Sequence, residues 1–490
     1  MERAFVKHWA LRAARGTVLG VLAEIAARGA NTIFFILLAR HPESDAGAYT
    51  LGFTYALVWI QLSLGGLEQL INREVARKEY PSALILGNYL LARLASSLLC
   101  YGALALWLFG PYGYEASVNR VVLIVGATFI PDSLTALCQG YLIARDRVGS
   151  ITLLGALTGG LKLALGGLVL ALGGDALAVA WVLLSISLIT LALYLGLICW
   201  RFEWPVLSFD RAFWAKSLRY ELPLLGIAVL FTIESSADAF LLARGSNTVE
   251  LGVYAAAANI LLPLMILPQT YRQIILPIMT AWYHTQRERA FDIYRQSTRL
   301  ALIVTLLLAT SVALVADQLV PILFKSHFAT AVPVLQILIW SFVFVSLLVP
   351  NGRLLLVTGR QSAVVPIQCG SLLLNLGLNL LLQPMIGAQG AAIARVASSA
   401  LTFVVCLIYV QRKIYHWNLF SAVVRPACAA LILALVTGGL RWAGVHWIPA
   451  LAAGWLAYAG ALFALRGISM DELRSLLALL RQSRAPAAIK

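Results

Sequence analysis

Ionisable side chains recur inside long apolar runs, where burying a charge is expensive and by default signals work. Glu24, Arg28 and Asn31 stand at i, i+4 and i+7, so they share one face of a helix. Glu234 and Asp238 repeat the i, i+4 spacing downstream. Lys162, Arg93, Arg272 and Asp132 sit in further apolar runs, with Arg395 somewhat outward and Glu68, Arg353 and Arg425 nearer the ends. Gln269, Arg272 and Gln273 lie at i, i+3 and i+4 in a run interrupted by Pro263, Pro268 and Pro277, which can bend or break there. Guanidinium and ammonium groups at depth suit an anionic head, so Arg28, Arg272, Asn31, Gln269, Lys162 and Arg93 are the candidate substrate-binding residues. Glu24, Asp132, Glu234 and Asp238 are the candidates for ion coupling, because all six His lie at or near the ends of apolar runs. Packing offers a second reading: Arg28 can neutralise Glu24, and Lys162, Asn375 and Asn379 can hydrogen-bond between helices.

The elements that position these residues are membrane helices. Hydrophobic residues make up 61% and charged residues 12% of the 490, against roughly 45–50% and 25% in soluble proteins. A single soluble core is excluded. Taking roughly 20 apolar residues per span, about fourteen runs qualify, at 17–40, 47–72, 82–109, 118–144, 150–173, 175–200, 219–243, 251–282, 297–320, 329–358, 361–384, 388–411, 419–441 and 446–466. Their unbroken apolarity predicts helices rather than the alternation of barrel strands. The first run, with Glu24 and Arg28, is too long and polar for a cleaved signal and is expected to stay as a span.

The net charge of +15 could suggest nucleic acid, but the basic residues cluster in alternate connections, such as Arg73, Arg77 and Lys78, or Arg145 and Arg147. That pattern sets membrane orientation and places both termini in the cytoplasm. No nucleic-acid partner is expected. The six cysteines lie in apolar runs without metal spacing, so no metal and no cofactor are expected.

An internal repeat organises the chain. Leu37 to Tyr49, LLARHPESDAGAY, returns as LLARGSNTVELGVY from Leu241 to Tyr254. Gly140 to Gly173 is echoed from Gly352 to Gly387, which aligns Lys162 with Asn375. Two echoes in one order at nearly one offset mark a tandem repeat. The expected organisation is an N-terminal lobe over 1–200, an interfacial linker over 201–218, a second lobe over 219–415, and accessory helices with an amphipathic tail over 416–490. The fold class is therefore an all-α polytopic membrane protein, two six-helix lobes plus two C-terminal helices. No connection is long enough for a soluble catalytic domain, which argues against an enzyme such as a polysaccharide polymerase or ligase.

These stretches, together with GGLEQLINREVAR from Gly65 to Arg77, the Tyr220 to Tyr254 segment, and LNLLLQPMIGAQGAAIAR from Leu378 to Arg395, resemble the multidrug, oligosaccharidyl-lipid and polysaccharide flippase superfamily, in its polysaccharide transporter branch. The resemblance covers about residues 10–415. His41-Pro42-Glu43-Ser44-Asp45 departs from the usual Gly-Pro turn, and spans thirteen and fourteen exceed the minimal twelve. What it implies is two lobes about a cavity that opens alternately to each side of a bacterial inner membrane. The implied cargo is a polyprenyl-diphosphate-linked oligosaccharide, with membrane lipids and glycan-assembly proteins as partners. The alternative on the same fold is a cation-coupled multidrug exporter.

Overall fold

The computed structural model describes residues 29–39, 43–63, 66–77, 79–110, 114–206, 214, 232–243, 248–324, 328–417 and 419–465. Glu24 and Arg28, most of the expected linker and the C-terminal tail lie outside them. The described chain is α-helical apart from turns and short 3-10 segments, and ten of its helices are long and apolar enough to cross a membrane. In chain order these elements are α1 (Gly29–Leu38), α2 (Glu43–Leu62), α3 (Leu67–Arg77), α4 (Ser82–Phe109), α5 (Ala116–Ala127), α6 (Phe129–Ala144), α7 (Val148–Ala171) and α8 (Ala176–Arg201). After 232–243, which is α9, come α10 (Thr248–Leu264), α11 (Ile266–Thr285), α12 (Arg287–Phe324), α13 (Ala331–Val357), α14 (Val364–Lys413), α15 (Leu419–Trp442) and α16 (Trp447–Ala464).

Ten is fewer than the fourteen runs of the sequence for local reasons. Two runs share α14, and the 17–40 and 219–243 runs lie largely outside the described residues. Residues 47–72 divide between α2 and the amphipathic α3, whose Glu68, Arg73 and Glu74 leave it too polar to span. The proline-rich run bends at Met265, between the end of α10 at Leu264 and the start of α11 at Ile266, while Thr248–Arg272 still counts as one span.

A helix closes its own backbone hydrogen bonds, which is why it can stand in hydrocarbon. Helices of 24 to 28 residues, such as α7, α8 and α4, extend for about 36 to 42 Å, enough for the apolar core. Hydroxyls follow the same rule: Thr50 and Thr54 donate to the carbonyls four residues back, at 2.7 and 2.8 Å. Outward faces carry exposed Leu99, Leu106, Leu153, Trp181 and Leu188, a surface suited to lipid.

The chain divides into two compact units, one of residues 1–266, 323–334 and 368–398, the other of 267–322, 335–367 and 399–490. In the first, Leu70, Ile71, Leu86, Tyr89, Leu137, Tyr141 and Tyr194 form the core of α3, α4, α6 and α8. The repeat also becomes physical there, because α2 and its copy α10 pack along each other. Gly47 lets them approach: a Cβ at that position would stand 1.8 Å from the Thr248 carbonyl oxygen. Beside this seam the rings of Tyr55 and Phe240 meet edge to face at 4.7 Å.

In the second unit, Tyr294, Leu354, Leu355, Cys406 and Val410 form one core, and α15 and α16 build another on α12. The accessory pair is fastened by more than apolar area. Tyr458 donates to the Ile303 carbonyl at 2.8 Å, Trp455 Nε1 to Ser311 Oγ at 2.9 Å, and Arg441 pairs with Asp317.

Helix α14 is long enough to cross a membrane twice. It is a hairpin, with non-helical backbone at Ile386 and Gly387, and Ser371 Oγ on one limb lies 3.2 Å from the Ser398 carbonyl oxygen on the other. Gly387 has φ 54°, a conformation that favours glycine. The Glu250 carboxylate on α10 accepts from the Ala388 N–H at 2.8 Å, where the second limb begins. A Cβ at Gly387 would lie 2.6 Å from the same carboxylate. We therefore expect Gly387→Ala to destabilise the purified protein by about 1 to 3 kcal/mol. Thermal unfolding in detergent checks this. Gln389→Ala, at an exposed position in the helical backbone just past the turn, is the control and should leave the midpoint unchanged. An unchanged midpoint for Gly387→Ala would show that the turn does not need glycine.

Candidate functional site

Helical spacing assembles the most elaborate polar cluster of the first unit. Ser371, Asn375, Asn379 and Gln383 recur every fourth residue along the first limb of α14, so all four share a face. Glu234 and Asp238 share a face of α9, and Arg395 with Ser398 comes from the second limb. These elements converge on Asp238, which is fully buried. Its carboxylate accepts from Tyr254 Oη at 2.8 Å, Asn375 Nδ2 at 3.0 Å, Asn379 Nδ2 at 2.9 Å and Arg395 Nε at 2.6 Å. Arg395 also donates to the Ser235 carbonyl at 2.9 Å, and Gln383 Nε2 to the Asp238 carbonyl at 3.2 Å. Glu234, half-buried, accepts from Ser371 Oγ at 2.9 Å. Four donors, one of them a cation, leave Asp238 satisfied as an anion.

The other half of the repeat builds a cluster around a cation. Lys162 Nζ on α7 donates to Asn31 Oδ1 at 2.6 Å, stands 3.5 Å from Tyr49 Oη, and lies over the Phe34 ring at 5.0 Å. Asp132 on α6 feels the Lys162 charge and has the Ser187 and Thr128 hydroxyls as neighbours. The repeat makes Asn31, Phe34, Tyr49 and Lys162 the counterparts of Ser235, Asp238, Tyr254 and Asn375. One half presents an ammonium where the other presents a neutralised carboxylate.

The remaining sequence candidates fall elsewhere. Arg93 is 1% exposed within α4, with Glu68 as an electrostatic neighbour, a placement suited to holding α3 on α4. Arg272 is exposed on α11, in the second unit, and Gln269 is half-buried one turn earlier. Thus the structure joins Lys162 with Asn31 and Asp132, and Glu234 with Asp238, while Arg93 and Arg272 belong to neither cluster. Sequence reasoning missed Tyr254, Gln383, Ser371, Ser398 and the pairing of Arg395. Its available signal was the four-residue recurrence from Ser371 to Gln383, a polar stripe on an otherwise apolar helix. Among the described residues no group of three or more His, Cys, Asp or Glu could hold a metal ion.

The fold, built of helices long and apolar enough to cross a membrane, is shared by solved structures. The chain resembles the lipid II flippase MurJ in its inward closed conformation, with TM-score 0.73 and 12% identity over 93% of this chain and 98% of that one. It also resembles an inward-facing multidrug resistance MATE family transporter of the MOP superfamily, with TM-score 0.65 and 16% identity over 81% and 98% of the two chains. A third likeness is to a MOP superfamily transporter from Pyrococcus furiosus Vc1 (DSM3638), with TM-score 0.58 and 16% identity over 81% and 95%. No curated protein matches by sequence. Over residues 44–333 the sequence matches the family described as polysaccharide biosynthesis protein, and the chain belongs to that family.

The Asp238 cluster makes a direct prediction. Arg395→Gln removes the cation from a buried carboxylate and should cost about 3 to 5 kcal/mol, whereas Asp238→Asn with Arg395→Gln together should recover most of it. Unfolding of the purified variants reads this out. Equal instability of the single and double variants would contradict charge neutralisation as the role of Arg395.

Proposed function

We propose that this protein is a flippase that moves a polyprenyl-diphosphate-linked oligosaccharide from the cytoplasmic to the outer leaflet of a bacterial inner membrane, with both termini cytoplasmic. The observation that carries the reading is membership of a polysaccharide biosynthesis family by a chain made of membrane-crossing helices. Such a chain serves glycan assembly by moving an intermediate rather than by bond-making.

The charge pattern fits the cargo. A diphosphate head cannot enter hydrocarbon unaided, since an isolated ion there costs tens of kcal/mol in the Born limit. Lys162, steadied by Asn31 and Tyr49 over Phe34, offers a cationic replacement for its water in the first unit, and the exposed Arg272 offers one in the second. Arg28, outside the described residues, belongs to the same set read from the sequence, as do Gln269 and Arg93. In this proposal the functional halves are the sequence lobes 1–200 and 219–415, which expose the head-binding residues to each side in turn while the lipid tail stays in the bilayer. If an ion drives the step, Glu234 or Asp132 carries it, because Asp238 already has four donors, one of them a guanidinium.

The test is surface glycan in cells lacking their own copy, with membrane levels of each variant matched. Lys162→Ala and Arg272→Ala should each lower export about tenfold or more, the expected effect of one charge-assisted hydrogen bond of about 1.5 to 3 kcal/mol. Lysine at Arg272 should restore only part, since it cannot hold phosphate oxygens in pairs. Full export by both alanine variants would contradict the assignment.

A further inference from the structure

The second unit contains a groove that the clusters above do not use. Leu267, Pro268 and Tyr271 on α11, Leu300, Val304 and Thr305 on α12, and Ser346 on α13 border a space of about 170 Å³. Its wall is apolar despite the hydroxyls. Thr305 turns its Oγ1 back to the Ala301 carbonyl at 2.7 Å, Ser346 turns its Oγ to the Phe342 carbonyl at 2.7 Å, and the Tyr271 hydroxyl oxygen is buried. What the groove offers is hydrocarbon contact between membrane-crossing helices.

Charge distinguishes this groove from an ordinary packing gap. Arg272 follows Tyr271 directly and stands one turn beyond Pro268, so it continues the α11 side of the groove. Arg353 stands two turns beyond Ser346 and continues the α13 side. The two guanidinium groups are electrostatic neighbours. Among the described residues neither is paired with a carboxylate. Two cations continuing two sides of one apolar groove favour an anion there, and each planar fork can hold a pair of phosphate oxygens.

We propose that Arg272 and Arg353 bind the diphosphate of a polyprenyl lipid whose first isoprene units lie in the groove of α11, α12 and α13. The inference rests on the flippase reading and adds to it a residue, Arg353, and a seat for the start of the tail. The groove admits a chain and excludes a sugar, because its hydroxyls are turned to backbone carbonyls or buried and its wall offers little to a polar ligand. The glycan end must therefore lie on the far side of the arginines from the groove. A diphosphate is preferred to a simple phospholipid because it offers two phosphoryl groups to the two cations that continue the groove.

Photolabelling of the purified full-length protein tests this, with geranylgeranyl diphosphate carrying a diazirine near its first isoprene unit. Adducts should map to α11, α12 and α13 along the groove. Unlabelled geranylgeranyl diphosphate should compete about tenfold better than phosphatidylglycerol vesicles or inorganic diphosphate. Arg353→Gln should lower labelling about tenfold and Arg353→Lys less. Ala301→Trp, in the groove wall, should reduce labelling through bulk alone, and unfolding midpoints identify any variant that fails by misfolding. Equal competition by phosphatidylglycerol, or adducts away from these helices, would overturn the proposal. If those adducts lie elsewhere while the parent protein restores surface glycan, the subsite falls and the flippase reading stands. A parent protein that neither labels nor restores glycan would remove both.

Discussion

An ionised carboxylate in a membrane helix must find its donors inside the protein, and at Asp238 it finds Tyr254, Asn375, Asn379 and Arg395. Water cannot compensate a missing partner at that depth, so the positions of α9, α10 and both limbs of α14 become interdependent. The hairpin turn at Gly387, held by Glu250, brings the second limb back so that Arg395 reaches the same oxygen pair. Apolar packing alone would leave such helices free to slide, since lipid is as apolar as leucine. Here the polar set fixes their register.

The same constraint separates the two halves of the repeat. Around Asp238 the charge is cancelled internally and the carboxylate is fully buried. Around Lys162 the ammonium is held by a neutral amide, a phenol and a ring face, with Asp132 as a more distant influence. The Asp238 carboxylate is matched by a guanidinium with Glu234 beside it, whereas the ammonium is held directly by neutral groups.

Much of this was legible in the sequence. Apolar runs of the right length became helices, and the LLAR and Gly-x-Tyr echo identified α2 and α10 as copies, which then pack on one another. The i, i+4 pairs Glu234 with Asp238 and Asn375 with Asn379 were visible as single faces. Their meeting was not, because spacing fixes a face on one helix and says nothing of which face it meets. Arg395 looks peripheral in the sequence for that reason, although the gap between the 361–384 and 388–411 runs already marks the reversal at Ile386 and Gly387 on which its role depends. Arg93 reads from the sequence as a candidate binding residue by its depth, and the structure adds a charged neighbour. Its neighbour Glu68 comes from α3, whose polar face the apolar pattern had merged into a span.

Translocation itself is the claim on which the account stands, and reconstitution measures it most directly. Purified protein would be placed in liposomes containing a fluorescent polyprenyl-diphosphate-linked oligosaccharide on the inner leaflet, with a glycosidase outside that releases the label. The account predicts protein-dependent release of the inner-leaflet label, greatly slowed by Lys162→Ala. Release at the same rate in protein-free liposomes, or in liposomes with the Lys162→Ala protein, would contradict it.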